Sequence, residues 1–431
     1  MANPSRRNAH KTKSRRDVVI KKEIMARQES EILRLTRRPG GASRIQIAKA
    51  MQMSPSAIAP YVERLLAEGY LVEASNAGTG PGRPAKPLTP SAKAGCFLGV
   101  DIGLRFVRIL RVDFAQQIES RTRYEVGRGC TKSDILSILT AGLKAATENL
   151  NAPLLGCGIA VNGPIDPQRG VSLCWEEVED WRDVPLKQLA EDVLGVPVLL
   201  ESNNHCLALS ELWNGKGIEE PTFLCISARM TVGATLVVDG KLWNGASGNS
   251  GLIGSWQVPS RILPKEARLA SERPFRENYG IPLIQVASTE GVLSRVREAI
   301  RSGQESLLAE HASRILFDFL PVYRAFEAGD PVVRTQFLAA AKALGWVAGE
   351  LAKLFDVHLI VISGLRLMGP LIVDEIRTVA FDLLGPPQHL RPRIVASDLF
   401  EFASAQGAVS LLIHHWGPRL ELSAQPASPL A

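Results

Sequence analysis

Arg44, Lys49, Arg64, Arg83 and Lys86 crowd into one early part of the chain, around the short side chains of Ser54, Ser56 and Ala57 and the ring of Tyr61. Guanidinium and ammonium groups neutralise phosphates, and small or hydroxylated residues at the start of a helix reach base edges in a groove. The chemistry such a set supports is holding a nucleic-acid duplex, not making or breaking bonds. Charge points the same way. Residues 1–95 carry 18 Lys and Arg against 7 Asp and Glu, whereas the remaining 336 residues carry 32 against 37. The basic balance lies wholly in the first fifth of the chain, which favours a polyanion partner for that fifth. The six cysteines (96, 130, 157, 174, 206 and 225) stand singly with no CxxC spacing. That suits a reducing cytoplasm and offers no framework for zinc, so no metal or cofactor is expected.

The stretch Ser43 to Gly69 must position these groups. Ser43 is a candidate N-cap, and Ile45, Ala48 and Met51 give helical spacing for a first short helix. Met51 to Met53 reads as a turn, and Ser54-Pro55 as a new cap followed by Pro at the first helical position. Ile58, Val62, Leu65 and Leu66 stripe the second helix, and Gly69 stops it. Tyr70 to Glu73 reads as a strand entering a Gly/Pro-rich loop, which makes the whole a winged helix-turn-helix. A helical hairpin that only packs has the same pattern, and charge is what speaks against it. Pro60 interrupts the second helix, so that helix either starts late, near Ala57, or kinks. Residues 1–22, with eight Lys and Arg and one Asp, read as a disordered basic arm. Residues 23–90 form the winged domain, led by a helix over Lys22 to Arg38. Asn76 to Pro90 is its wing and linker. There Gly82-Arg83-Pro84 fits both an arginine for an A·T-rich minor groove and a plain linker.

From Cys96 the texture changes. CFLGVDIG and FVRILRVDF pair as a hairpin, and the pattern returns about 125 residues on as TFLCISARM and GATLVVDGKLW. Helical spacing at 133–149, 186–194, 284–302, 308–325, 331–355 and 403–415 alternates with apolar strands at 154–161, 196–200 and 358–364. The fold class is α/β, two related lobes with a cleft between them over residues 96–416, with 417–431 as a loose tail. No apolar run reaches the length of a membrane span, and the N-terminus has no apolar signal core. The expected location is cytoplasmic, with no membrane partner.

Several landmarks together resemble the ROK family of repressors and sugar kinases, whose shared fold is actin-like and two-lobed. They are Gly99-Val100-Asp101-Ile102-Gly103, GIAVNGPID (158–166), Trp181 with VPL (184–186), GVPVLLES (195–202), VVDGKLWNGASG (237–248), and IVISG (360–364) with QGAVSLL (406–412). The resemblance runs from about residue 24 to 416, and a winged helix ahead of the lobes is the layout of the family's regulators. Its kinases require features that are altered here. In the first phosphate loop, Leu104 and Arg105 replace Gly and Thr. The second aligns to Ala228-Arg229-Met230-Thr231-Val232-Gly233, with one glycine left. The catalytic Asp aligns to Asn203, and an amide has essentially no basicity near neutral pH. The sugar-binding Glu and His align to Leu252 and Ser255, and the cysteine cluster of the zinc site is missing. His205 and Asp239 are the nearest acid-base groups, read as a partly buried helix residue and a hairpin turn. The resemblance therefore implies no catalytic residue.

What it leaves is a cleft of neutral polar groups: Asn162, Asn203, Asn204, Ser247, Asn249 and Ser255. These could bind a sugar or sugar-derivative effector, and they equally fit turn residues of an emptied site. The reading is a DNA-binding regulator of carbohydrate-related genes. It takes a double-stranded DNA operator and works as a homodimer or homotetramer, because one winged helix reads only a short half-site. Two alternatives stay open: a working sugar kinase with a DNA-binding domain attached, and a regulator using the lobes only as a scaffold.

Overall fold

A computed structural model describes residues 15–74, 86–127, 129–269, 280–311, 319–364, 369–386, 391–414 and 416–418. The head is built from α1 (Arg15–Thr36), α2 (Arg44–Ala50), α3 (Pro55–Ala67), β1 (Leu71–Glu73) and β2 (Leu88–Pro90). Helix α1 starts seven residues before the basic arm was expected to end. Ser43 caps α2 as half of a capping box with Gln46, and the Ser54 hydroxyl accepts from the Ala57 amide to open α3. β1 and β2 pair antiparallel as a two-stranded sheet, and an isolated bridge ties Ala42 to Leu88.

Two local expectations are corrected. Ile45 is 66% exposed, and the buried face of α2 is Ile47 with Ala48. Helix α3 begins at Pro55 rather than near Ala57, and it continues unbroken through Pro60. The carbonyl that Pro60 leaves without a donor belongs to Ser56. Both residues are exposed, so water can take the missing donor's place.

The first lobe holds β3 (Cys96–Ile102), β4 (Phe106–Asp113), β5 (Ile118–Glu125), α4 (Lys132–Ala146) and β6 (Leu154–Val161). A small sheet of β7 (Ile165–Asp166), β8 (Val171–Cys174) and β9 (Arg182–Val184) follows, then α5 (Leu186–Leu194), β10 (Val198–Ser202) and α6 (Asn203–Asn214). The second lobe runs through β11 (Phe223–Ala228), β12 (Val232–Val238), β13 (Lys241–Leu242), β14 (Gln257–Val258), β15 (Ile281–Pro282), α7 (Leu283–Ala287) and α8 (Thr289–Arg301). It continues with α9 (Phe319–Glu327), α10 (Pro331–Phe355), β16 (Leu359–Ser363), α11 (Gly369–Leu384) and β17 (Arg393–Ala396), after which α12 (Ala403–Ile413) returns to the first lobe. The sequence spacing at 284–302 splits into α7 and α8 because Ser288 ends one helix and caps the next. The two main sheets have orders β10-β6-β3-β4-β5 and β13-β12-β11-β16-β17. Each is an antiparallel meander joined to two parallel strands, which is the repeat visible in the sequence.

Helix α12 is the element that connects everything. It lies directly on the first lobe's sheet: a Cβ added at Gly99 or Gly158 would meet the carbonyl oxygens of Ala405 and Ala408 at 2.1 and 2.0 Å. It also touches α6, where Gly407 faces the Cys206 carbonyl. Just beyond it, Trp416 packs against Tyr70 of the head and Phe114 of the first lobe, with centroids 5.4 and 5.2 Å away. The head's apolar core and the adjoining edge of the first lobe are thus one cluster, running from Ile32 and Leu65 through Leu110 and Phe114 to Leu412.

Candidate functional site

In the head, Ser54, Ser56 and Ala57 are exposed at the start of α3, with the two serine hydroxyls 2.9 Å apart. Lys49 is exposed, while Tyr61 is half-buried against the core. The other cations are engaged inside the head. Arg44 bonds Glu63 and Glu73, each at 3.0 Å, and Lys86 shares Glu73 at 3.4 Å. Arg64 turns back onto α1, donating to the fully buried Glu29 at 2.9 Å. Arg64, expected among the phosphate contacts, thus also braces α1 against α3. Arg83 lies outside the described residues.

Between the lobes, Asp101 is buried at the end of β3. It accepts from Arg108 at 3.1 Å and from the Asn203 amide at 3.1 Å. Asn203 is thus an amide donor to a carboxylate that is itself ion-paired. Two turns face this point. In the first, the Gly103 amide donates to the Phe106 carbonyl at 3.0 Å, and Leu104 and Arg105 form its tip. In the second, the Arg229 amide donates to the Thr231 carbonyl at 2.9 Å, and the Arg229 guanidinium reaches Ser404 on α12 at 2.8 Å. Desolvation lowers the pKa of Arg229, opposed by the nearby carboxylates of Asp101 and Glu401. Gly364 (φ 94°) leaves room for this side chain, since a Cβ there would lie 2.3 Å from Arg229 Cγ.

The expected cleft amides separate. Asn249 clamps the lobes together: its Oδ1 accepts from the Ile165 amide at 2.8 Å and its Nδ2 donates to the Ile165 carbonyl at 2.9 Å. Asn204 accepts from the Ser227 hydroxyl at 2.5 Å and packs on Gly233, tying α6 to the second lobe's hairpin. These two, with Asn203, are committed to the protein's own groups. Asn162 is buried at the end of β6, and Ser247 and Ser255 are exposed on the facing loop. A buried pair was missed: His205 Nδ1 lies 2.9 Å from Glu201 Oε1, and its Nε2 lies 3.3 Å from the Ser250 carbonyl. Burial opposes charge on His205, but Glu201 and then the Ser250 carbonyl outweigh it and raise its pKa. The four-residue spacing from Glu201 to His205 was the available signal. Among the described residues no group of three or more His, Cys, Asp and Glu is placed to hold a metal ion.

A cavity of about 490 Å³ opens on the outer side of the two turns. Leu104 and Glu177 of the first lobe line it, opposite Met230, Ile284, Ser288 and Glu290 of the second. None of the six expected polar residues borders it.

Comparison with known proteins follows this architecture. Residues 97–415, about three quarters of the chain, match the ROK family. The xylose repressor of Caldicellulosiruptor bescii is 23% identical over 376 residues, covering 86% of this chain and 91% of that protein. Among solved structures, a ROK family transcriptional regulator described as a homolog of the E. coli MLC protein superposes with a TM-score of 0.74 at 20% identity. It covers 91% of this chain and 97% of its own, so the match extends beyond the lobes into the head. A ROK family glucokinase from Streptomyces griseus, solved with glucose and AMPPNP, has a TM-score of 0.62 and 25% identity, covering 74% of this chain and 99% of its own. No helix among the described residues is long and apolar enough to cross a membrane.

Proposed function

The chain belongs to the ROK family, and on that premise we propose that it is a sugar-responsive, DNA-binding transcriptional repressor that performs no phosphoryl transfer. The observation that carries the second half is the side chain of Arg229, in the second turn, bonded to Ser404, with Asn203 held on Asp101. A kinase needs open backbone amides for a triphosphate and a basic group for the sugar hydroxyl. This cleft offers an arginine in the first place and an amide in the second.

DNA would be met by the start of α3, with Ser54, Ser56 and Ala57 towards the bases and Lys49 towards phosphate. Arg83 and the basic N-terminal residues add further charge. Arg44 and Lys86 hold the base of the wing through Glu73. A sugar or sugar derivative would enter between the lobes, in the cavity beside Leu104 and Met230, where Glu177, Ser288 and Glu290 offer polar groups. Helix α12 supports a route from there to DNA. Ser404 and the adjoining Glu401 touch the arginines of the cleft, and Trp416 beyond the other end touches Tyr70 of the head. Ligand that changes lobe closure would shift this rod and so the head. Two-fold pairing of chains would set two heads on two half-sites of one operator.

The experiment is selection of a binding site from random duplexes, followed by titration with a sugar panel and a coupled ATP-consumption assay. The proposal expects one enriched sequence, its release by a sugar or sugar derivative, and no sugar-dependent ATP consumption. Turnover of ATP with any sugar would overturn the non-catalytic half.

A further inference from the structure

We infer that the mouth of the cleft is an anion-binding subsite, built from Arg105, Arg108, Arg123 and Arg229, and that the effector carries a phosphate or carboxylate group. This rests on the reading of the cleft as the effector site and narrows the class of molecule it takes. Three guanidinium groups surround one ring: Arg105, Arg108 and Arg123 lie 6.0, 5.0 and 4.6 Å from the centroid of Phe106. Arg229 approaches from the opposing turn, close enough that Arg108 lowers its pKa further. Two carboxylates answer these four cations directly. Asp101 pairs with Arg108 at 3.1 Å, and Glu401 pairs with Arg108 at 3.5 Å and Arg123 at 2.9 Å. Among the described residues Arg105 has no carboxylate within ion-pair distance, and Glu290 is only a more distant neighbour. The cluster therefore holds two positive charges beyond its paired carboxylates; Arg108 and Arg229 are shielded from water, while Arg105 and Arg123 reach the surface, where an incoming anion can meet them. One oxyanion bridging Arg105, Arg108 and Arg123 would relieve the repulsion among them through charge-assisted hydrogen bonds.

The position suits a ligand with two ends. Leu104 and Met230, the neighbours of Arg105 and Arg229 in sequence, line the 490 Å³ cavity. There Glu177 and Glu290 can accept hydrogen bonds from hydroxyl groups, so a polyol body would lie in the cavity with its acidic group on the arginines. The same anion would compete with Glu401 for Arg108 and Arg123. Since Glu401 lies two residues before α12, next to its cap residue Phe402, ligand binding would loosen the start of the helix that leads to the head.

The test is calorimetry on the full chain at fixed ionic strength, with inorganic phosphate, acetate and chloride as probes, and with matched glucose, glucose 6-phosphate and gluconate. Phosphate is expected to bind at least tenfold more tightly than chloride. Arg105→Gln, which removes no ion pair, should weaken phosphate about fivefold or more, whereas Arg301→Gln, at the exposed last residue of α8, should not change it. Glucose 6-phosphate against gluconate then separates phosphate from carboxylate. Phosphate binding no better than chloride, or binding indifferent to Arg105→Gln, overturns the subsite. If neutral glucose binds in that case, the cleft reading survives without the anion site. If phosphate binds through Arg105 while no glucose derivative binds or releases DNA, the anion site stands and that choice of polyol body is wrong.

Discussion

Replacing Gly158 by Ala should disconnect the cleft from the head. Gly158 lies in the middle of β6, and its missing side chain is what lets α12 rest on the sheet. An added Cβ would lie 2.0 Å from the Ala408 oxygen, 2.5 Å from its carbonyl carbon and 3.2 Å from its Cα. All three are backbone atoms, so no rotamer change removes the clash. A tolerable carbon–oxygen contact is roughly 3.3 Å, so the helix must withdraw by about 1.3 Å. It cannot do so freely, because Gly407 on its other side faces the Cys206 carbonyl. Overpacking of this kind costs about 1–3 kcal/mol. The displacement is also comparable to the tolerance of the 2.8 Å bond from Arg229 to Ser404. The variant should therefore lose about 1–3 kcal/mol in urea unfolding, and a ligand that releases wild-type protein from its operator should release the variant poorly. Fluorescence anisotropy of a labelled operator, with and without that ligand, measures the second effect. A variant with stability within about 0.5 kcal/mol of wild type and a full ligand response would refute both the close contact and the route through α12.

Other expectations follow from single residues. Lys49→Ala should lower the slope of log affinity against log salt by about 1. Arg64→Ala should leave that slope unchanged and instead destabilise the head by about 1.5–3 kcal/mol, through loss of its bond to Glu29; parallel salt titrations and melts separate them. Asn203→Asp should give no sugar-dependent ATP consumption, because the second turn still carries Arg229, Met230 and Thr231 in place of glycines; turnover in that variant would show that the turn admits a triphosphate. His205 has a folded pKa above its ordinary 6.5, so the stability of its protonated pair with Glu201 is fully present below about that pH. It should be lost as pH rises through the elevated value. Melts from pH 6 to 9 should show this decline in the wild type and a flatter profile in His205→Gln.

The parts legible in the sequence were those written in local pattern. Capping serines and a Pro at a first helical position placed the starts of α2 and α3, because each acts within a few residues. The register of α2 was not legible: in a seven-residue helix, Ile45 and Ile47 fit spacings on two different faces, and packing against α1 and α3 chose Ile47. The roles of the polar groups were the least legible. Arg64 finds Glu29 35 residues earlier, and Asn249 finds Ile165 84 residues earlier. A charged or amide side chain has the same composition whether it serves a ligand or the fold, and only a partner distant in sequence decides. The altered phosphate turns were plain from missing glycines. That Arg229 crosses to Ser404, 175 residues on, was not.

Selected operator DNA offers the most direct measurement of the central claim. The full chain should bind its selected duplex at least a thousandfold more tightly than a scrambled duplex at physiological salt, a separation typical of specific recognition (roughly 10³ or more). A sugar or sugar derivative added to the complex should then weaken binding, while the same protein with ATP and that ligand yields no phosphorylated product. Equal affinity for selected and scrambled duplexes, or a phosphorylated product, would contradict the account.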